Sequence, residues 1–483
     1  MKLHLNKIIA LFFFITIALQ STFAQQGKTK LFENYLNEYL TNKKVPSISA
    51  GVLRDDKIVW LDAKGKADLE EDVPAIINSV YRIASITKPI TAVAIMQLYE
   101  KGLIDLDKDI HIYLPEFPEK KWKFTVRQLL SHTSGIRNYK EGEFDSKNFY
   151  SSINESIKVF AYDTLNFEPG TKYEYTSLAY SLLAAIIESV TKTTYEDYIT
   201  KNIFIPAEMY DTFIDKQKKI IQHRVKGYEK NFLREFENAP LADLSIKIAG
   251  GGLLSTAHDL LFFAKALLGG KLLKPSTLEM MYNRTKLKSG TLIDYGLGFA
   301  VSMKGDSLKA FYHIGGGTGF SSMLFIDPKE KIAAVHLINI VDRNLGLPAE
   351  VLANIESGFG YTSPSKTISD ELMNVYRSEG IDSTIKKYFE IADSNATEYN
   401  LSETEVINFS KDLIGLKKIA DTIKYLKAIQ KNFPKSFSLQ VAIADAYLKD
   451  QNKGLALKYF RSAWQLNKND YYVNKMISQL SKK

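Results

Sequence analysis

The chain has 483 residues, 45% hydrophobic and 24% charged, which is the composition of a globular protein with length enough for a large core. A formal charge of +8 over that length gives no warrant for nucleic-acid binding. The absence of cysteine excludes a thiol nucleophile, cysteine-ligated zinc, disulfides and a lipid-modified N-terminal cysteine.

In chain order, Lys2 and Lys7 make a basic start, residues 8–19 (IIALFFFITIAL) a short apolar run, and Thr22-Phe23-Ala24 a small-residue end. This is a secretory signal pattern, with cleavage expected after Ala24. The apolar run is too short to span a bilayer comfortably, and no later stretch reads as transmembrane. The expectation is an exported protein, periplasmic or secreted, and not integral to a membrane once residues 1–24 are removed.

Residues 31–42 read as an amphipathic helix, and 47–52 with 58–63 as a hairpin around Arg54-Asp55-Asp56-Lys57. Residues 81–102 (YRIASITKPITAVAIMQLYEKG) place Ser85 three positions before Lys88. On a helix that spacing stacks the two on one face, so the Lys88 nitrogen can reach the Ser85 hydroxyl. Serine is a poor nucleophile until a base or cation activates it. The run that follows is apolar on nearly every side, the mark of a buried helix; Pro89 is tolerated in its first turn and Gly102 stops it.

Residues 103–117 read as loop. Residues 124–136 (FTVRQLLSHTSGI) read as a short helix and a turn, with His132 as a turn histidine bonding nearby backbone rather than a catalytic group. In 167–190 (FEPGTKYEYTSLAYSLLAAIIESV), Tyr175-Thr176-Ser177 sits at the entrance of an apolar helix. Tyr175 is either a phenol near a nucleophile or a half-buried aromatic. Residues 248–268 carry three glycines that allow close backbone approach, then Ser255 or Thr256 as a helix cap, with His258 on an exposed face. Residues 320–326 and 332–338 read as strands joined by a turn, and the Gly315–Gly319 cluster before them lets a ligand lie against an edge strand.

Beyond a linker the chain is rich in helix formers, acidic over 366–405 and basic thereafter. Ala444, Tyr447, Ala456, Phe460 and Ala463 fall at the spacings of a tetratricopeptide helix pair, and residues 423–434 resemble the second helix of another. A generic helical hairpin docked on the main domain is the other reading. There is no G-x-S-x-G elbow, no phosphate-binding loop and no histidine pattern with metal spacing. Serine chemistry without a metal or cofactor remains.

Ser85-Ile86-Thr87-Lys88, Tyr175-Thr176-Ser177 and His313-Ile314-Gly315 occur in that order. With the segments LLSHTSGI, FEPGTKYEYTS, AGGGLLSTAHD and HIGGGTGFS they resemble the serine β-lactamase and penicillin-binding-protein superfamily, in its class C and esterase-like branch. The resemblance covers about residues 30–360 and implies an α/β (α+β) fold: a central antiparallel sheet flanked by helices, with a mostly helical lobe. It implies that Ser85 forms an acyl-enzyme, that Lys88 and Tyr175 share the proton transfers, and that the N–H groups of Ser85 and Gly316 make the oxyanion hole. Ser177, His313, Gly315 and Gly316 are the implied substrate-binding set. Two departures stand out. Ser177 replaces the family's frequent Asn, and His313 replaces the Lys usual in β-lactamases and DD-peptidases. A histidine, mostly neutral at pH 7, anchors a carboxylate less well than a lysine.

The expected organisation is a signal peptide over 1–24, a hydrolase domain over 25–362, a linker over 363–368 and a helical, tetratricopeptide-like region over 369–483. The expected function is hydrolysis of an ester or amide, in a small molecule or short peptide: an esterase, a D-amino-acid amidase or peptidase, or a weak β-lactamase. The alternative is a catalytically weak sensor that binds peptidoglycan or peptide and docks a protein partner through the C-terminal helices.

Overall fold

The computed structural model describes residues 25–342, 345–394 and 397–481. The signal peptide expected over 1–24 lies outside the described residues. The chain opens with helix α1 (25–43) and the antiparallel hairpin β1 (Ser47–Arg54) and β2 (Lys57–Asp68), followed by the short strand β3 (Val73–Pro74). The helices that matter to the site are α2 (Thr87–Glu100), α3 (Leu178–Thr191) and α4 (Ala257–Leu268). Strands β4 (Ala300–Lys304), β5 (Ser307–Gly317), β6 (Phe320–Asp327) and β7 (Ile332–Ile338) then lead to helix α5 (Pro348–Glu356).

The strands form one seven-stranded sheet in the order β4-β5-β6-β7-β1-β2-β3, with every neighbouring pair antiparallel. Alternation along a strand sends successive side chains to opposite faces. On β7, Ile332, Ala334 and Ile338 join the apolar cluster formed with Phe32, Tyr35 and Leu36 of α1 and Leu352 of α5. Ala333, Val335 and Leu337 join the larger cluster on the other face, built from α2, α3 and α4. The sheet is therefore covered on both sides. In β1 the second layer comes so close at Gly51 that an added Cβ would lie 2.9 Å from Leu261 Cδ1 of α4. Thr256, rather than Ser255, caps α4 by accepting from Asp259 N.

Helix α2 is the centre of the helical lobe. Every side chain from Thr87 to Leu98 is buried, as its nearly continuous apolar sequence requires. No helix among the described residues is long and apolar enough to cross a membrane.

Residues 357–365 contain no helix or strand. Lys366–Thr367 then pair in parallel with Tyr399–Asn400, and α6 (Ile368–Asp393) begins at once, so regular structure resumes inside the segment expected to be a linker. Helix α6 bends at Gly380, whose φ of 80° breaks the helical path. Five helices follow: α7 (Glu403–Gly415), α8 (Ile419–Ile429), α9 (Phe437–Lys449), α10 (Lys453–Leu466) and α11 (Tyr471–Leu480). Their starts keep a period. Glu403, Phe437 and Tyr471 are each 34 residues apart, as are Ile419 and Lys453. Ala444, Ala456, Phe460 and Ala463, read from the sequence as packing positions, are fully buried in the cluster these helices share.

A largely buried network of four charges, beside the exposed Arg377–Glu235 pair, fastens this region to the rest. Arg234 Nε donates to Asp370 Oδ1 at 2.7 Å and its Nη2 to Asp342 Oδ2 at 2.9 Å; Lys230 Nζ donates to Asp370 Oδ2 at 3.1 Å. The Lys230 and Asp370 side chains are only 3% and 6% exposed, so removing one member leaves a buried charge without compensation. Asp370→Asn is expected to destabilise the attachment of the C-terminal helices by about 3 kcal/mol. The readout is the urea midpoint followed by helical circular dichroism, and an unchanged midpoint would show the network to be energetically neutral.

Candidate active site

The site begins where the chain enters α2. Residues Ala84–Ile86 form a 3-10 turn that runs directly into the helix. Ala84 has φ of 45°, a left-handed conformation that costs a non-glycine residue about 1–2 kcal/mol. Strain of this kind persists only where the surroundings fix it. Here they do: Ser322 Oγ donates to the Ile83 carbonyl at 2.8 Å, tying the turn to β6. The turn holds Ser85 half-buried at the mouth of the helix. Its N–H lies in the first turn, where no intrahelical acceptor exists.

Lys88 lies one turn on and is fully buried. Its Nζ is 3.1 Å from Ser85 Oγ, 2.9 Å from Ser177 Oγ and 2.6 Å from the Gly250 carbonyl. All three partners are uncharged. Among the described residues no carboxylate forms an ion pair with it. Burial, reinforced by the charge of Lys247, holds the Lys88 pKa well below that of an ordinary lysine. The amine is therefore biased toward its neutral form, with a lone pair free to take a proton. Tyr175 closes the group from the other side. Its ring centroid is 4.7 Å from Lys88 Nζ, and burial pushes its phenol pKa up, with the nearby Ser85 hydroxyl pulling the other way.

Ser177 is the residue before α3, so the helix start that brings Tyr175 to the cleft also brings this hydroxyl to Lys88. His132 holds the segment in place. It is buried with φ of 57°, and its Nδ1 accepts from the Thr176 N–H at 3.2 Å. Its ring lies 4.3 Å from that of Tyr175. The expectation of a turn histidine bonding nearby backbone needs correcting in one respect: the backbone it bonds is 44 residues away, beside the tyrosine. Burial and the charge of Lys88 keep this imidazole neutral.

The third motif lies on β5. The neighbouring strand β4 pairs no further than Tyr312, so His313 to Gly317 is an open edge on that side. The Ser85 turn packs over this stretch of β5 and the facing part of β6. A Cβ at Gly315 would lie 2.2 Å from Ser322 Oγ, 2.5 Å from the Ile83 carbonyl and 3.2 Å from Ser85 N. Gly315 is thus required by contact, not for binding. Gly316 is exposed, with open space where a side chain would stand, and lines the cleft with Ser85.

His313 departs from its expected part. It is buried, with Nδ1–H donating to the Ile314 carbonyl at 2.8 Å and Nε2 accepting from the Tyr295 hydroxyl at 3.0 Å. Burial and the charge of Lys88 push its pKa down to about 3. A neutral ring with both nitrogens committed inside the protein is not available to a substrate. Its geometry suits it to holding the strand edge and the aromatic wall of Tyr295 and Tyr175.

The cleft beside Ser85 also contains residues that sequence reasoning passed over: Tyr139, Phe144 and Lys247. No spacing marks them, because they come from two loops that meet only in the fold. The Tyr139 hydroxyl is near enough to Ser177 to lower its own pKa slightly, yet not in hydrogen-bond geometry. The free space in the cleft is about 20 Å³, room for a single water. A second cavity of about 590 Å³ adjoins it, with Arg82 and Thr318 as shared walls. Tyr139 and Phe144 narrow the cleft, and the larger cavity is a second approach to it.

Residues 32–353 match the family described as Beta-lactamase. Among curated relatives, human "Serine beta-lactamase-like protein LACTB, mitochondrial" is 31% identical, over 65% of this chain and 74% of its own length. "Penicillin-binding protein 4*" of Bacillus subtilis is 29% identical, over 64% and 71%. Among solved structures, the octameric penicillin-binding protein homologue from Pyrococcus abyssi superposes with a TM-score of 0.58 at 26% identity, covering 72% of this chain and 80% of that one.

The Gly315 contacts give a direct test of the geometry. Gly315→Ala must push β5 away from the Ser85 turn, because two of the three atoms it meets are backbone. The expected result is that labelling of Ser85 by a fluorophosphonate slows by at least about a hundredfold, the scale of a displaced backbone donor at a reacting oxygen. Reactivity of Ser85 within twofold of the parent chain would contradict the placement.

Proposed function

This chain belongs to the beta-lactamase family, and we propose that it is an exported serine hydrolase that cleaves esters or amides through an acyl-enzyme on Ser85. The observation that carries the reading is the neutral-biased amine of Lys88, buried without a carboxylate 3.1 Å from the Ser85 hydroxyl. A base of depressed pKa in hydrogen-bond reach is what serine needs to become a nucleophile.

In the proposed reaction, Lys88 Nζ takes the Ser85 proton as Oγ adds to the carbonyl carbon. The N–H groups of Ser85 and Gly316 hold the oxyanion. As the tetrahedral adduct collapses, the bond to the leaving group breaks. The departing oxygen or nitrogen takes a proton from the Tyr175 hydroxyl, which recovers one from the Lys88 ammonium. Water then attacks the Ser85 ester by the same route in reverse. Burial keeps the Tyr175 phenol protonated at neutral pH, which favours Lys88 as the first base and Tyr175 as the proton donor.

The substrate side follows from the two departures. Ser177 offers a single short hydroxyl, already bonded from Lys88, where an asparagine would offer an amide. His313 offers nothing to a carboxylate. Both lean away from efficient β-lactam hydrolysis and toward esters, D-amino-acid amides or short peptides. The name of the Bacillus relative supports penicillin as a covalent probe. We also propose the division into leader (1–24), hydrolase domain (25–362), linker (363–368) and tetratricopeptide-like region (369–483). The 34-residue recurrence of helix starts supports the last, since that is the length of one such repeat. A partner-docking role for that region goes with the proposal.

The test is a panel of p-nitrophenyl esters, D-amino-acid amides, D-Ala-D-Ala peptides and nitrocefin. The best ester or amide is expected to exceed nitrocefin in kcat/KM by more than tenfold; comparable values would overturn the substrate assignment. The pH profile tests the base. Lys88 acts when unprotonated, so activity falls as pH drops through its pKa. Because burial depresses that pKa, the acid limb is expected well below the 10.5 of an ordinary lysine. Lys88→Ala is expected to lower kcat by about 10²–10⁴-fold. A limb near pH 10 would exclude Lys88 as the base.

A further inference from the structure

Lys247 is the group in the cleft that the proposed chemistry leaves without a task. It ends the 3-10 turn Ser245–Lys247, just before the Gly250–Gly252 run, and is 5% exposed. Its stem passes beside the nucleophile turn. A Cβ added at Gly251 would lie 3.8 Å from the Ala84 carbonyl carbon and 4.0 Å from Lys247 Cδ, so one glycine separates the two. The ammonium donates to the Phe144 carbonyl and lies over the ring of Phe144, 3.7 Å from its centroid, with the Tyr139 ring at 5.4 Å.

Among the described residues no carboxylate lies within 4 Å of this nitrogen. Burial lowers its pKa to about 8; Asp145 pulls the other way from farther off, but Asp145 Oδ1 is already taken by the Thr318 hydroxyl. Arg82, the other cation lining the cleft, is paired with Asp215 at 2.7 Å. Buried lysines are normally paired. Here one carbonyl and two ring faces stand in for the missing anion. Phe144 and Tyr139 belong to the loop that narrows the cleft, so an anion entering beside Ser85 would replace that loop's carbonyl at the ammonium.

We propose that Lys247 is a specificity-determining residue that binds a carboxylate on the substrate acylating Ser85. The inference rests on the hydrolase reading and takes it further, to an acidic ester, amide or peptide. It assigns to the wall opposite β5 the anion recognition that His313 cannot supply. Lys88 does not compete for the carboxylate, because its Nζ is enclosed by Ser85, Ser177 and Gly250.

The experiment compares two esters with the same leaving group and acyl length: mono-p-nitrophenyl glutarate, which ends in a carboxylate, and p-nitrophenyl pentanoate, which ends in a methyl. The full chain is expected to favour the glutarate in kcat/KM by about ten- to hundredfold, the scale of a charged hydrogen bond. Lys247→Met should collapse the ratio toward one, and Lys247→Arg should keep it. Taking the ratio removes any change in Lys88 basicity, which affects both esters alike. A second arm uses the parent chain alone: free glutarate should slow labelling of Ser85 by a fluorophosphonate, and neutral pentanamide should not. Equal kcat/KM for the two esters, a ratio unmoved in Lys247→Met, or no protection by glutarate would overturn the assignment while leaving the labelled serine hydrolase standing. Failure of both esters and of the phosphonate to react at Ser85 would overturn the hydrolase reading and this inference with it.

Discussion

An amine buried without a counter-charge is the constraint on which the site is built. Lys88 has been removed from water and given two hydroxyls and one carbonyl in place of a carboxylate. Desolvating a charge with no partner is costly enough that the group tends to give up its proton instead. The surroundings enforce that outcome. Helix α2 is buried from Thr87 to Leu98, and its one acid, Glu100, stands at the far end, so no acid within it can reach the lysine. The start of α3 delivers Tyr175 and Ser177, one a weak acid kept protonated and the other a neutral acceptor. Lys247 adds like charge from beyond Gly251. The strained Ala84 and the glycine at 315 then set how close the strand edge comes to Ser85.

Much of this was legible in the sequence, for identifiable reasons. The all-apolar run after Ser85 could only be a buried helix. The i, i+3 spacing put Lys88 within reach of Ser85, and the contact forms although Ser85 stands in the turn before the helix. The strands around residues 327–330 carry a turn between apolar runs, and the sheet pairs them as read. His313 misled because residue type was taken for role. Whether a histidine on a strand faces a substrate or the interior depends on what packs against it, and Tyr295 comes from a loop that no pattern connects to β5. Lys247, Tyr139 and Phe144 were invisible for the same reason. His132, read as a turn histidine, holds the segment carrying Tyr175 in place from 44 residues upstream.

The C-terminal helices show the converse. The small and aromatic residues on α9 and α10 suggested one helix pair, and residues 423–434 the second helix of another. The recurrence of helix starts at 403, 437 and 471 makes a longer series than composition revealed, because the earlier pairs lack the small-residue signature. The antiparallel hairpin of Tyr228–Lys230 and Phe236–Asn238 ties α6, which leads into this series, to the sheet-containing region through Lys230 and Arg234, and its last residue, Asn238, borders the large cavity next to the cleft. The helices are thus attached to an element that also shapes a wall near the site.

The central claim is that Ser85 forms a covalent acyl intermediate with Lys88 as its base. The most direct measurement is intact-mass analysis of the chain, acid-quenched during turnover of a p-nitrophenyl ester, followed by peptide mapping. The structure predicts one acyl group per chain, located on Ser85, absent from Ser85→Ala and formed far more slowly in Lys88→Ala. An adduct on another residue, or equal acylation in Lys88→Ala, would contradict it.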